Sequence, residues 1–111
     1  MSERRRFTRK ERLDSPGIAA LLADVRPKRG IGVSVQMKAN GATNARLGLI
    51  VPKRLLDKAV NRNRAKRLLR EWFRLHQDRL AGRDLLVRVI GTPRSMEGLV
   101  AEVERLVAAK A

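Results

Sequence analysis

Apolar residues recur along this chain at two periods, and the changes of period mark out its elements. Ser15-Pro16 is an N-cap residue followed by proline at the first helical position. Ile18, Leu21 and Leu22 then fall at i, i+3 and i+4, predicting a short helix that ends near Val25, ahead of Pro27. Lys28, Arg29 and Gly30 read as a basic turn. From Ile31 to Met37 the period drops to two, with Ile31, Val33, Val35 and Met37 on one face of a strand. Ala45 to Val51 alternates in the same way through Leu47, Leu49 and Val51. The Lys38–Asn44 stretch between them holds Asn40-Gly41, a hairpin signal, so the two strands are expected to pair antiparallel.

After Pro52 the period lengthens again. Asp57 to Arg79 contains no glycine or proline and reads as one long amphipathic helix, with Asp57 as its N-cap. Ala65, Leu68, Leu69, Trp72, Phe73 and Leu75 share one broad face. Asn63, Lys66, Arg67, Arg70 and Arg74 share the opposite one, with Arg62 and Arg64 flanking it. Leu80–Asp84 is a linker, and Leu85–Ile90 is a nearly continuous apolar run that predicts an interior strand. Gly91-Thr92-Pro93 opens a last helix with Leu99, Val100, Val103, Leu106 and Val107 as its stripe. The order predicts an α/β (α+β) sandwich: a small mixed sheet with helices packed on it and the long basic helix crossing between two strands. Residues 1–111 are expected to form a single domain, with 1–10 a mobile basic arm.

Charge turns this fold reading towards a partner. Lys and Arg total 26 against 11 Asp and Glu, a net charge of +15 on 111 residues, which predicts a polyanion. A charged helix face is usually only solvated, but between Lys58 and His76 the one acid is Glu71, and a one-signed face repels itself. Arginine dominates the face, and its planar fork grips phosphate in bidentate fashion. The last helix carries Glu97, Glu102 and Glu104, so it is expected to face away from the polyanion. No run approaches the ~20 apolar residues that span a bilayer, and no secretory pattern is present, so a cytoplasmic protein without a membrane role is expected.

Catalytic chemistry is sparse. The absence of cysteine excludes disulfides and zinc–thiolate sites. His76 is the single histidine and is assigned no role. There is no P-loop, no GxGxxG, no HExxH, no nucleophile set and no evident acid pair, so neither a catalytic nor a metal site is expected on the protein. From the residues alone, several readings remain open. They are a non-enzymatic RNA-binding module such as a ribosomal protein or RNA chaperone, a DNA regulator, and a stand-alone nuclease. A core-committed helix disfavours groove insertion and hence DNA, and a nuclease lacks its carboxylate cluster.

The segment Lys58-Ala-Val-Asn-Arg-Asn-Arg-Ala-Lys-Arg-Leu-Leu-Arg70 narrows the choice. It closely resembles the signature of the bacterial ribonuclease P protein component: Arg-Asn-Arg, then x-Lys-Arg-x-x-Arg. Arg62, Asn63, Arg64, Lys66, Arg67 and Arg70 all match. Leu47–Val51 followed by Lys53-Arg54, and Arg70–Arg74 followed by Asp84–Val87, resemble the family's flanking elements. The resemblance is strong over residues 45–90 and looser elsewhere.

The resemblance implies the small subunit of a ribonucleoprotein that removes the 5′ leader from precursor tRNA. The RNA subunit holds the Mg²⁺ and performs the hydrolysis; the protein binds that RNA and the leader. The crossover is left-handed in the family, against the general rule. Arg62, Asn63, Arg64, Lys66, Arg67, Arg70 and Arg74, with Lys53 and Arg54, become the expected RNA contacts. The partners become the ribonuclease P RNA subunit and precursor tRNA, with no DNA and a monomeric protein in the absence of RNA. The family takes the leader in a cleft between the first helix and the sheet, lined by aromatics. Here Ile18, Leu21 and Leu22 stand nearest those helix positions, with Leu13 a rival, and Val35 stands on the strand. Ile18, Leu22 and Val35 are therefore the expected cleft residues.

Overall fold

A computed structural model describes residues 11–110; the expected basic arm 1–10 lies outside them. The elements are α1 (Ser15–Asp24), β1 (Lys28–Arg29), β2 (Val33–Ala39), β3 (Arg46–Ile50), α2 (Ala59–Leu75), β4 (Arg83–Val89) and α3 (Met96–Lys110). The strands form one mixed sheet in the order β1-β2-β4-β3. β4 is an interior strand, lying between β2 and β3. Leu85, Val87 and Val89 point to one face and Leu86 to the other, and all four are buried. A strand apolar on both faces gains most from an interior place. Its parallel partner β3 pairs Leu47 with Leu85 and Leu49 with Val87, and α2 supplies the crossover such pairing needs.

The expected hairpin does not form. β2 pairs antiparallel with β4, not with β3. Asn40-Gly41 does turn the chain, with Gly41 at φ +72. However, the link arches over the start of β4, where Asn40 Nδ2 donates to Asp84 Oδ1 at 2.9 Å and the Asn40 amide donates to Gly82 O at 2.9 Å. The doubly apolar β4 takes the slot between the two strands, and β3, carrying Arg46 and Gly48, is left towards the edge. Arg46 closes that end with two bonds to the buried Asp84, at 2.8 and 2.9 Å. These raise the Arg46 pKa above the ordinary guanidinium value. Beyond β3 the chain at 11–13 covers the edge: the Leu13 amide donates to Leu47 O at 2.9 Å and Arg12 bridges to Leu47.

The helices divide between the two faces. α2 and α3 cover the main core, which includes Val33, Val35, Leu47, Leu69, Phe73, Leu85, Val87 and Val103. α1 covers the other face, where Leu13, Leu21 and Leu86 pack with Ile18, Val25 and Ile50. Gly48 lets α1 approach, because a Cβ there would stand 3.1 Å from Ile18 and 3.2 Å from Leu13. Gln36 holds the end of α1 by donating to Leu21 O (3.0 Å) and Val25 O (2.7 Å).

Several boundaries differ from expectation. Asp14, not Ser15, caps α1, accepting from the Gly17 amide at 2.9 Å. Asp57 does not cap α2: Lys58 holds that position without a side-chain bond. The helix ends at Leu75, and residues 76–82 turn back towards β4. α3 begins at Met96, after Ser95 Oγ accepts from the Gly98 amide. Lys28-Arg29 is a strand, not a turn. Ile31 belongs to the tight Gly30–Gly32 turn, and it is 93% exposed, not on the core face of β2. The acids of α3 are also placed differently. Glu102 bonds the Ile31 and Gly32 amides, and Glu104 bonds Trp72 and Arg79. These two acids stitch α3 to the turn and to α2, and do not form a free outer face.

Candidate nucleic-acid interface

The apolar stripe of α2 fixes which side faces out. Ala65, Leu69, Trp72 and Phe73 are buried. Asn63, Arg64 and Arg67 are consequently exposed, while Arg62, Lys66, Arg70 and Arg74 are half-buried along the helix flanks. Lys53 and Arg54 are exposed on the turn before the helix. One continuous basic surface thus runs from that turn along α2.

The cations on it are not equivalent. The side chains of Lys66, Arg67, Lys53 and Arg54 have no hydrogen bond or ion pair among the described residues, and neither does that of Asn63. Arg64 has only a 3.7 Å approach to Glu97, both side chains mostly exposed, which holds it weakly. Arg62 is engaged: its Nη1 donates to Leu56 O and Asp57 O, each at 2.9 Å. It clips the preceding turn to a helix that lacks a side-chain cap. Arg74 is bonded to Glu71 one turn back, and that bond raises the Arg74 pKa and lowers that of Glu71.

Arg70 is half-buried, and burial, then the Arg12 guanidinium, lower its pKa. Arg12 approaches because 11–13 runs along β3 with Leu13 turned into the α1-side core. Sequence pattern missed Arg12 as a neighbour of the basic helix: nothing local signals a single bridge to a strand met much later in the chain.

The expected cleft residues do not come together. Ile18 packs in the α1-side core, and Leu22 is 44% exposed. Val35 lies on the opposite face of the sheet, fully buried under α2 and α3. The reason is the period of two: β2 turns Ser34, Gln36 and Lys38 towards α1 and Val33, Val35 and Met37 away. A surface beside α1 therefore consists of Leu22, Lys38 and the α1-side residues of the sheet, without Val35.

His76 lies at the end of α2. Its Nδ1 is 2.7 Å from Trp72 O, its ring stacks on Trp72 at 5.0 Å, and its Nε2 is 3.7 Å from Glu104. Glu104 accepts from Arg79 at 2.8 Å and from Trp72 Nε1 at 3.0 Å. The Arg79 bond chiefly lowers the Glu104 pKa, against the opposing effect of burial, and raises that of Arg79. Among the described residues no three acids or histidines gather to hold a metal, and no helix is long and apolar enough to cross a membrane.

The family model described as Ribonuclease P matches residues 7–110. The ribonuclease P protein component of Vibrio cholerae is 49% identical over 55 residues, 50% of this chain and 47% of that protein. The chain thus aligns with about half of that relative's length. The corresponding protein of Chromobacterium violaceum is 40% identical over 84 residues, covering 75% of this chain and 69% of that protein. The Staphylococcus aureus RNase P protein superposes with a TM-score of 0.78 at 21% identity, covering 87% and 91% of the two chains, and so shares the fold. The Thermotoga maritima RNase P protein, solved in complex with 1-(4-fluorophenyl)-2-thiourea, gives 0.61 at 27% identity over 79% and 77%.

Proposed function

The chain belongs to the ribonuclease P protein family, and on that premise we propose that it is the protein subunit of ribonuclease P. It binds the RNA subunit and the 5′ leader of precursor tRNA and promotes Mg²⁺-dependent endonucleolytic removal of the leader in the cytoplasm. The observation that carries this reading is the basic surface of Lys53, Arg54, Lys66 and Arg67, with Asn63 among them, whose side chains have no partner among the described residues, along and just before a helix whose other face is buried in the core. Phosphates of the RNA subunit would neutralise that surface and release their counterions. Arg64 and Arg70 extend it, and Arg62 and Arg74 contribute whatever donors their internal bonds leave. The leader runs beside α1, across Ile18 and Leu22, where aliphatic side chains give weaker contact than the ~1–3 kcal/mol of aromatic stacking.

Among the described residues no three carboxylates gather into a Mg²⁺ site. Asp84, Glu102 and Glu104 are each bound to guanidinium or N–H groups. The ion and the hydrolysis belong to the RNA subunit in this reading. The test is leader cleavage of a precursor tRNA at low Mg²⁺ with the RNA subunit alone, the protein alone, or both. Cleavage at the mature 5′ end in the mixture only is expected. No stimulation of a folded, cognate RNA would reduce the chain to an RNA-binding module, and cleavage by protein alone would require a protein active site.

A further inference from the structure

Three connections meet at one end of the sheet. β3 and β4 are parallel and β2 is antiparallel to β4, so the ends of β3 and β4 and the start of β2 lie together. The Gly30–Gly32 turn, the turn carrying Lys53 and Arg54, and the 91–95 loop therefore share that end with the first turns of α2 and α3. Thr92 Oγ1, 3.5 Å from Leu55 O, ties two of them. Between the 30–32 turn, the 92–95 loop and the start of α3 lies a cleft of about 550 Å³, within the range of small-ligand sites.

Its lining is apolar and cationic. Ile31 and Pro93 are apolar walls and Leu99, 2% exposed, is the floor. A single exposed isoleucine needs no explanation by itself; one that walls a cleft beside arginines is different. Arg94 and Arg105 line the same cleft, and Arg94 has no hydrogen bond or ion pair among the described residues. The one acid in the lining is Glu102, and it is occupied. Its Oε2 accepts from the Ile31 amide at 2.6 Å and its Oε1 from the Gly32 amide at 2.9 Å, with Arg105 Nη2 at 3.4 Å. The carboxylate that could repel an anion is already met by three donors.

We propose that this cleft takes one unstacked nucleotide of an RNA strand, its base against Ile31 and Pro93 and its phosphate on Arg94 and Arg105. A nucleotide supplies a flat face and an anion in one unit, which matches this lining. An apolar protein segment would have to desolvate Arg94 without neutralising it. Lys53 and Arg54 stand at the same end of the sheet, so a strand leaving the basic surface of α2 passes the cleft. The proposal rests on the RNA-binding reading above and adds to it a second, separate contact. The nucleotide can come from the RNA subunit or from the precursor.

The chain has no cysteine, so Ile31→Cys accepts one aryl-azide crosslinker at a unique position. It is irradiated in the assembled ribonucleoprotein, with and without precursor tRNA, beside an Ala108→Cys control on an exposed position of α3. The expected result is a crosslink from position 31, and none from 108, to one unpaired nucleotide; the arm in which it appears identifies its source. Ile31→Ser and Arg94→Gln should each weaken RNA binding about three- to tenfold, and Arg94→Gln alone should reduce the salt slope by about one. No RNA crosslink from position 31, or one to duplex RNA or to a second protein copy, with wild-type cleavage intact, overturns the proposal. Failure of the wild-type protein to stimulate cleavage would count against the function reading instead. The cleft would then be judged by the same crosslink to the RNA subunit.

Discussion

Arg62 and Arg67 sit five residues apart in one motif, and the structure gives them different work. Replacing Arg62 by Met keeps most of the aliphatic stem and removes the guanidinium that bonds Leu56 O and Asp57 O. A hydrogen bond to a charged group is worth about 1.5–3 kcal/mol when buried. Here one bond is half-buried and the other exposed, and water can reach the freed carbonyls. The discounted total is about 1–2 kcal/mol, which lowers the melting temperature by roughly 4–10 °C for a domain of this size. Arg67→Met removes an exposed side chain that has no partner among the described residues, so it should stay within about 0.5 kcal/mol of wild type. Binding to the RNA subunit should reverse the ranking. Arg67→Met should reduce the slope of log affinity against log salt by about one, and Arg62→Met by clearly less. Thermal unfolding followed by circular dichroism and a salt series of RNA binding give both numbers for each variant. An Arg62→Met protein as stable as wild type, with a slope lowered as far as that of Arg67→Met, would refute the division of roles.

Other consequences follow from the same packing. Glu104 has a pKa lowered by Arg79, so its contribution is present above the unfolded carboxylate pKa and lost as pH falls through the lower folded value. Glu104→Gln should therefore be less stable at neutral pH and lose less stability on acidification, as read by urea unfolding across a pH series. Phe73→Ala, at a fully buried position between α2 and the sheet, should cost about 3–5 kcal/mol by denaturant titration. Gly82 has φ +78, so Gly82→Ala should cost about 1–2 kcal/mol, visible as a lower urea midpoint at unchanged slope. Val35→Ala should lower stability while leaving leader affinity per folded molecule unchanged, because Val35 faces α2 and α3 and not α1.

Much of this architecture is written in local pattern. The split of α2 into Leu69, Trp72 and Phe73 inside and Asn63 and Arg67 outside follows from a 3.6-residue period, and the interior place of β4 follows from its nearly continuous apolar run. Periodicity assigns faces but not neighbours. It cannot say that β4 enters between β2 and β3, and Asn40-Gly41 looks the same whether the chain folds back beside itself or one strand further on. Nor can alternation say where a strand stops: Ile31 continues the rhythm of β2 but sits in a turn held by Glu102, far along the chain. The expected place of Val35 beside α1 fails for the same reason, since period two gives two faces without saying which helix covers each. Arg62 matches its motif as well as Arg67 does, and only the carbonyls around it distinguish a clip from an open cation.

The position of β4 also sets an order of events during synthesis. The strand that joins β2 to β3 is nearly the last element made, and neither has a long partner until it arrives. A nascent chain that has reached Leu75 already carries all of α2 and its arginines, but no sheet on which to lay the apolar side of that helix. Folding must wait for pairings between distant parts of the chain, which are slow to close. A fragment ending before Arg83 would therefore be a basic, half-apolar chain without a core. It would bind RNA indiscriminately and aggregate readily. Quality control of this small protein is in effect a question asked at Val89.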